Sequence, residues 1–197
     1  MSEPGAFDPI AVALAFTAVL DRLGVSYLVA GSLASSAHGE PRSTNDIDIV
    51  ADLQPQQVGP LLQSLGDSYY VSEFAIREAL RVGGAFNLIH LDTVMKIDVF
   101  IVGSDAFDRE RLRMRQALQV SAEPTARLFV DTAEHTILRK LEWYRRGGEA
   151  SERQWRDVVA ILRVQGAGLD GARLAEWASR LGVADLLERA SAEAREA

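Results

Sequence analysis

The chain has no cysteine. That excludes a disulfide framework, a thiolate zinc site and a cysteine nucleophile, and it fits a reducing compartment, so a cytoplasmic location is the expectation. Long hydrophobic runs are also missing. The most apolar early stretch, Ile10 to Leu20, is far shorter than a membrane span and is followed by Asp21 and Arg22, so no membrane partner is expected. Met1 to Pro9 carries Glu3 and Asp8 and no basic residue, which is not the pattern of a secretory signal. Positive charge is in deficit: 21 basic residues against 28 acidic ones give a formal net charge of −7. This argues against non-specific nucleic-acid binding, though a local basic groove stays compatible with it. Lysine is nearly absent, since Lys96 and Lys140 are the only two. The three histidines, His38, His90 and His135, lack the spaced partners of a metal site. There is no internal repeat, no low-complexity tract and no proline-rich linker.

What remains is ordinary globular composition, 48% hydrophobic and 25% charged over 197 residues. Asp8 and Pro9 open an amphipathic helix that runs to Gly24, and Val25 to Ala30 reads as a short buried strand. Ser32 to His38 forms one or two helical turns, broken by Gly39-Glu40-Pro41. Thr44 to Val50 alternates in the strand period, with Asp46 and Asp48 on one face and Ile47 and Ile49 on the other. A helix from Pro55 to Gly66, a short strand at Tyr69 to Val71 and a helix at Phe74 to Val82 follow. Phe86 to Leu91 and Val94 to Val102 are then two strands of an antiparallel hairpin turning at Asp92-Thr93. Residues 105 to 118 read as a basic helix, and Leu128 to Val130 as a last strand. From Asp131 the period is purely helical, with segments at 132–146, 151–164, 171–181 and 184–194. The expected architecture is a mixed α/β (α+β) core over residues 1–130, a mixed sheet flanked by helices, with a C-terminal helical bundle over 131–197 packed on it.

The chemistry concentrates in residues 28 to 50 and one later strand. Asp46 and Asp48 lie about 6.6 Å apart along their strand, and a neighbouring strand about 4.8 Å away can bring in Asp98, which shares a face with Lys96. Three such carboxylates repel one another unless a cation neutralises them, and oxygen-only ligands suit Mg²⁺. Two ions about 3.5–4 Å apart would clamp the entering and leaving oxygens of an in-line displacement, with Asp98 also able to take a proton from an attacking hydroxyl. An isolated Asp-x-Asp is more often just the solvent face of an amphipathic strand, and here the context decides. Gly31-Ser32 ends an apolar strand and opens a helix, so backbone N–H groups, the helix dipole and the Ser32 hydroxyl face an anion. The segment lacks the lysine of a P-loop and the spaced glycines of a dinucleotide fingerprint.

Gly31-Ser32, an interval of about a dozen residues, Asp46-Ile47-Asp48 and then Asp98 in an apolar strand resemble the signature of the DNA polymerase beta-type nucleotidyltransferase superfamily over Tyr27 to about Ile101. The resemblance implies a nucleoside triphosphate substrate, Mg²⁺, and transfer of a nucleoside monophosphate with release of pyrophosphate. Gly31 and Ser32 would hold phosphates, and Asp46, Asp48 and Asp98 would be the metal carboxylates. The aminoglycoside and lincosamide nucleotidyltransferases also resemble residues 28 to 50. A narrower similarity is to AbiE-type and related small bacterial nucleotidyltransferases, several of them toxins of toxin–antitoxin pairs. Arg42-Ser43-Thr44-Asn45-Asp46-Ile47-Asp48 is similar to their arginine-to-aspartate motif with one residue of difference in spacing, and Lys140 and Asp157 are similar to their later lysine and aspartate. This implies nucleotide-binding roles for Arg42, Lys140 and Asp157 and an antitoxin partner.

Lys140 has two readings from the residues alone, a surface side chain on an amphipathic helix or a flexible point charge for a triphosphate. The arginines at 145, 146, 153 and 156 read as a solvated face pairing with Glu149 and Glu152, and Trp143, Trp155 and Trp177 as core. The acceptor hydroxyl is left open between a tRNA end, which would use Arg109 to Arg115 or Arg145 to Arg156, a protein and a small molecule. The alternative to an enzyme is a catalytically silent regulator or interaction protein that keeps the fold.

Overall fold

A computed structural model describes residues 8–120 and 126–196; the expectation for the first seven residues lies outside them. The chain divides into two compact units, one of Met1–Val29 and Thr44–Val130, the other of Ala30–Ser43 and Asp131–Ala197.

The first unit is built on a mixed seven-stranded sheet among the described residues. Its strands are β1 (Tyr27–Val29), β2 (Asp46–Ala51), β3 (Tyr69–Val71), β4 (Ala85–His90), β5 (Met95–Ile101), β6 (Gln116–Gln119) and β7 (Arg127–Val130). Their order is β3-β4-β5-β2-β1-β7-β6. The pair β2 and β5 runs parallel, as does β1 with β7, and the other neighbours are antiparallel. Helices α1 (Pro9–Arg22), α3 (Val58–Leu65) and α4 (Glu73–Val82) pack on one another and on strands β2, β4, β5 and β7. Phe16, Leu20, Leu28, Ile47, Ile49, Leu61 and Ile97 are fully buried there. Capping follows the sequence: the Asp8 carboxylate accepts from the Ile10 amide at 2.9 Å with Pro9 at the first helical position, and Ser72 accepts from Ala75 at 3.3 Å. Gly83 closes α4 in the left-handed region at φ +65°.

One element differs from expectation. The basic helix α5 (Ala106–Met114) stops before residue 118, and Gln116–Gln119 pair with Arg127–Val130 as the edge strand β6. The segment is exposed on both faces apart from Leu118, so it carries no alternating apolar pattern, and the ladder to β7 supplies what periodicity could not signal. The hairpin between β4 and β5 turns through Leu91 to Val94, with Val94 exposed at φ +55° rather than in the strand.

The second unit is helical: α2 (Gly31–His38), α6 (Ala133–Arg146), α7 (Glu152–Gln165), α8 (Gly171–Arg180) and α9 (Ala184–Glu196). α6 contacts the other four, and α2 also contacts α7. Thr132, Ser151 and Asp170 cap α6, α7 and α8 through their side chains. Ile137, Leu138, Leu141, Val158, Ile161 and Leu174 form its core. The close approach of α2 to α7 needs Gly39, where an added Cβ would lie 3.0 Å from the Ile161 side chain and 3.1 Å from its backbone nitrogen. Among the described residues no helix is long and apolar enough to cross a membrane.

Replacing the fully buried Leu61 by alanine is expected to lower unfolding free energy by about 2–5 kcal/mol in urea titrations. The exposed Val82→Ala change in the neighbouring helix is expected to alter it by about 0.5 kcal/mol or less.

Candidate functional site

In the first unit the sequence-predicted carboxylates come from the pairing of β2 with β5. Ile47 and Ile49 are fully buried, which leaves Asp46 and Asp48 half-buried on the opposite face. The parallel register sets Asp48 opposite Asp98 and Asp46 opposite Lys96. On the far side of β5 the antiparallel register sets Asn87 opposite Asp98, so Asp48, Asp98 and Asn87 form one row across three strands. Asn87 was missed from the sequence, although pairing residues symmetrically about Asp92-Thr93 would have found it. Thr44 donates its hydroxyl to an Asp46 carboxylate oxygen at 2.8 Å and fixes that side chain at the strand entrance.

Lys96, in the adjoining row opposite Asp46, is the positive charge on this face. Its ammonium lies 2.7 Å from an Asp98 carboxylate oxygen. The hydrogen bond to Asp98 raises the lysine pKa above its ordinary value, opposed by desolvation and reinforced by the negative charges of Asp98, Asp46 and Asp48. All three aspartates therefore act on one cation. Among the described residues no group of three or more histidine, aspartate or glutamate side chains is gathered closely enough to hold a metal ion as it stands.

In the second unit four sequence-predicted residues meet, and a fifth adjoins them. Gly31 starts α2 at φ +57°, a conformation that favours glycine, and no side chain caps the helix. Ser32, next in the chain, accepts from an Arg42 Nη at 2.6 Å. The Arg42 guanidinium forks onto Asp157, at 3.1 Å through Nε and 3.0 Å through Nη2, and Lys140 Nζ donates to the same carboxylate at 2.8 Å. The side chains of Asp157 and Lys140 are only 10% and 12% exposed, which corrects the reading of Lys140 as an unengaged surface lysine. Ser36 bonds the Arg42 backbone, and Gln165 donates to the His38 carbonyl, so the loop carrying Arg42 is held at both ends. His38 Nε2 lies 2.6 Å from the Asp131 carbonyl oxygen, a structural role.

Other candidates fall outside these clusters. Arg111 is buried against Asp108 and offers no groove cation. Arg145 pairs with Glu149 and Asp185, and Arg146 with Glu142 rather than Glu152. Trp143 is 46% exposed, not core, with Arg146 over its ring, because its strip of α6 faces away from the apolar side of that helix. Trp155 bonds Glu193 and lies under Arg189.

Burial alone would push the Asp157 carboxyl up, but hydrogen bonds from Arg42 and Lys140, with their charges, outweigh it and hold the group below the usual carboxylate range. With the folded pKa below the unfolded value of about 3.9, ionised Asp157 stabilises the fold above that pH, and the contribution is lost as pH falls through the folded pKa. Asp157→Asn is therefore expected to lose on the order of 1–3 kcal/mol near neutral pH. In unfolding titrations its deficit relative to the parent chain should narrow only below about pH 4.

The architecture is similar to solved nucleotidyltransferase structures. The solution structure of the antibiotic-resistance factor ANT(2'')-Ia shares 12% identity over 95% of each chain, with a TM-score of 0.50. The crystal structure of ANT(2'')-Ia in complex with adenylyl-2''-tobramycin shares 13% identity over 87% of this chain and 97% of that one, with a TM-score of 0.55. An antigenic nucleotidyltransferase-like protein from Paracoccidioides brasiliensis shares 16% identity over 96% of this chain and 94% of its own, also at 0.55. No family model and no curated protein matches the chain. At these identities the common property is the fold, and the chain has a mixed α/β nucleotidyltransferase-like fold.

Proposed function

We propose that the chain is a Mg²⁺-dependent nucleotidyltransferase that moves a nucleoside monophosphate from a nucleoside triphosphate to an acceptor hydroxyl. The observation that carries this reading is the register of β2 and β5, with Asp48 opposite Asp98 and Asp46 on the same face, within a fold similar to nucleotidyltransferases. The donor set suits a hard divalent cation: it is all carboxylate, and the Lys96 ammonium already stands against it as a balancing charge. Asp46, Asp48 and Asp98 would hold one or two such ions, which supply charge neutralisation and polarise the phosphoryl oxygens. In the second unit, Ser32, Arg42 and Lys140 are the hydroxyl, fork and point charge suited to triphosphate oxygens, with the uncapped N-terminus of α2 at Gly31 beside Ser32 in the chain. Asp157 orients both cations.

In the reaction the acceptor oxygen forms a bond to the α-phosphorus, the bond from that phosphorus to the bridging oxygen breaks, and pyrophosphate leaves. Asp98 takes the proton of the acceptor hydroxyl. The meeting of Arg42, Lys140 and Asp157 supports the narrower resemblance to AbiE-type proteins, and with it an acceptor on tRNA or protein and a toxin role opposed by an antitoxin. A small-molecule acceptor is the second reading, favoured by the structural likeness to ANT(2'')-Ia.

Incubation with Mg²⁺ and each of the four α-labelled triphosphates, with tRNA, a protein extract or an aminoglycoside as acceptor, should give label transfer and pyrophosphate release. Asp48→Asn and Asp98→Asn should each reduce transfer by at least about 100-fold, roughly 3 kcal/mol of transition-state stabilisation, with unchanged circular dichroism. Full activity of Asp48→Asn, or no pyrophosphate from any combination, refutes the proposal.

A further inference from the structure

We propose a second binding site in the first unit, at the carboxyl ends of β2 and β5, for a small phosphorylated ligand. The residues that follow Ala51 and Ile101, the last of both parallel strands, border a cavity of about 500 Å³ lined by Asp52, Gln54, Gly103, Arg109, Arg113 and Arg115 among others. Open α/β sheets accept ligands outside the carboxyl ends of their parallel strands, and this volume suits a compact organic molecule. Asp52 lies four residues beyond Asp48, about 13 Å along an extended strand, so the cavity is separate from the carboxylate row.

Three arginines line this cavity in a chain whose net charge is −7. Arg109 is held by one bond from its Nε to the Gly103 carbonyl at 3.1 Å. Arg115 lies 4.7 Å over the Phe129 ring and donates one Nη to the Leu112 carbonyl at 2.6 Å, while its Nε is buried without a hydrogen-bond partner. Arg113 forks onto Glu110 at 2.8–3.1 Å. A guanidinium has five donors, so these anchors orient the three groups without consuming them, and phosphate oxygens accept such forks in pairs. Asp52, which accepts from Gln54 at 2.7 Å, and Glu110 reduce the positive charge without cancelling it. Acidic groups beside the arginines and a restricted volume favour a compact phosphate monoester over a nucleic-acid strand, which draws its affinity from many neutralised phosphates.

The test follows the arginine Nε–H resonances of the full chain by two-dimensional NMR, without divalent ions or triphosphates, at constant ionic strength. Inorganic phosphate, glycerol 3-phosphate and a ten-nucleotide RNA are added in turn, with chloride as the control. Saturable shifts of Arg109 and Arg115 with the two small phosphates are expected. The Kd should rise about tenfold in Arg109→Gln/Arg113→Gln, whose positions are exposed, and fall in Glu110→Gln. Asp48→Asn should bind unchanged, which separates this site from the proposed reaction. Linear shifts matching those of the surface residue Arg77, an unaltered Kd in the double variant, or saturation by RNA alone overturns the proposal.

Discussion

The parallel ladder between β2 and β5 places Asp48 opposite Asp98 and, one residue along, Ile47 opposite Ile97 on the other face. The two faces cannot be adjusted independently, because a slip of one residue would turn every isoleucine to solvent and every aspartate into the core. Ile47, Ile49, Ile97 and Val99 are buried, so the apolar face fixes where the acidic face must be. Close carboxylates then accumulate negative charge, which the structure balances with Lys96. Hydrophobic burial thus holds in place an electrostatic arrangement that would be unfavourable by itself.

The second unit handles charge differently. Its Asp157 carboxylate sits in a largely buried setting where an isolated ion would be costly, and two cations of unlike geometry share it. Arg42 approaches as a planar fork and Lys140 as a point charge. The first unit gathers acids around one base, and the second gathers bases around one acid. Carboxylates suit a cation and clustered bases suit phosphate oxygens, and each unit by itself contributes one of these two features to the functional proposal.

Much of this was legible in advance because it rests on local rules. Asp8 followed by Pro9 announces a helix start through its capping chemistry, and Gly39 with Pro41 a helix stop. Alternation placed Asp46 and Asp48 on one face and Asp98 on the face away from its own aliphatic row. Edge strand β6 was not legible: Gln116 to Gln119 has no apolar period, and its backbone bonds depend on a partner about ten residues away. Trp143 was misplaced because the apolar stripe of α6 passes beside it, and only the helix's orientation shows which side is covered.

Side-chain periodicity and capping act over a few residues, so all elements but edge strand β6, and the faces on which charged residues stand, could be read from the order of amino acids. Which faces meet is settled by packing alone. The register that puts Asp48 beside Asp98, the joining of Arg42 to Asp157 across 115 residues, and the cavity that sets Arg109, Arg113 and Arg115 near Asp52 all depend on contacts between elements distant in the chain. Periodicity states what a segment can bury, and packing selects the partner against which it does so.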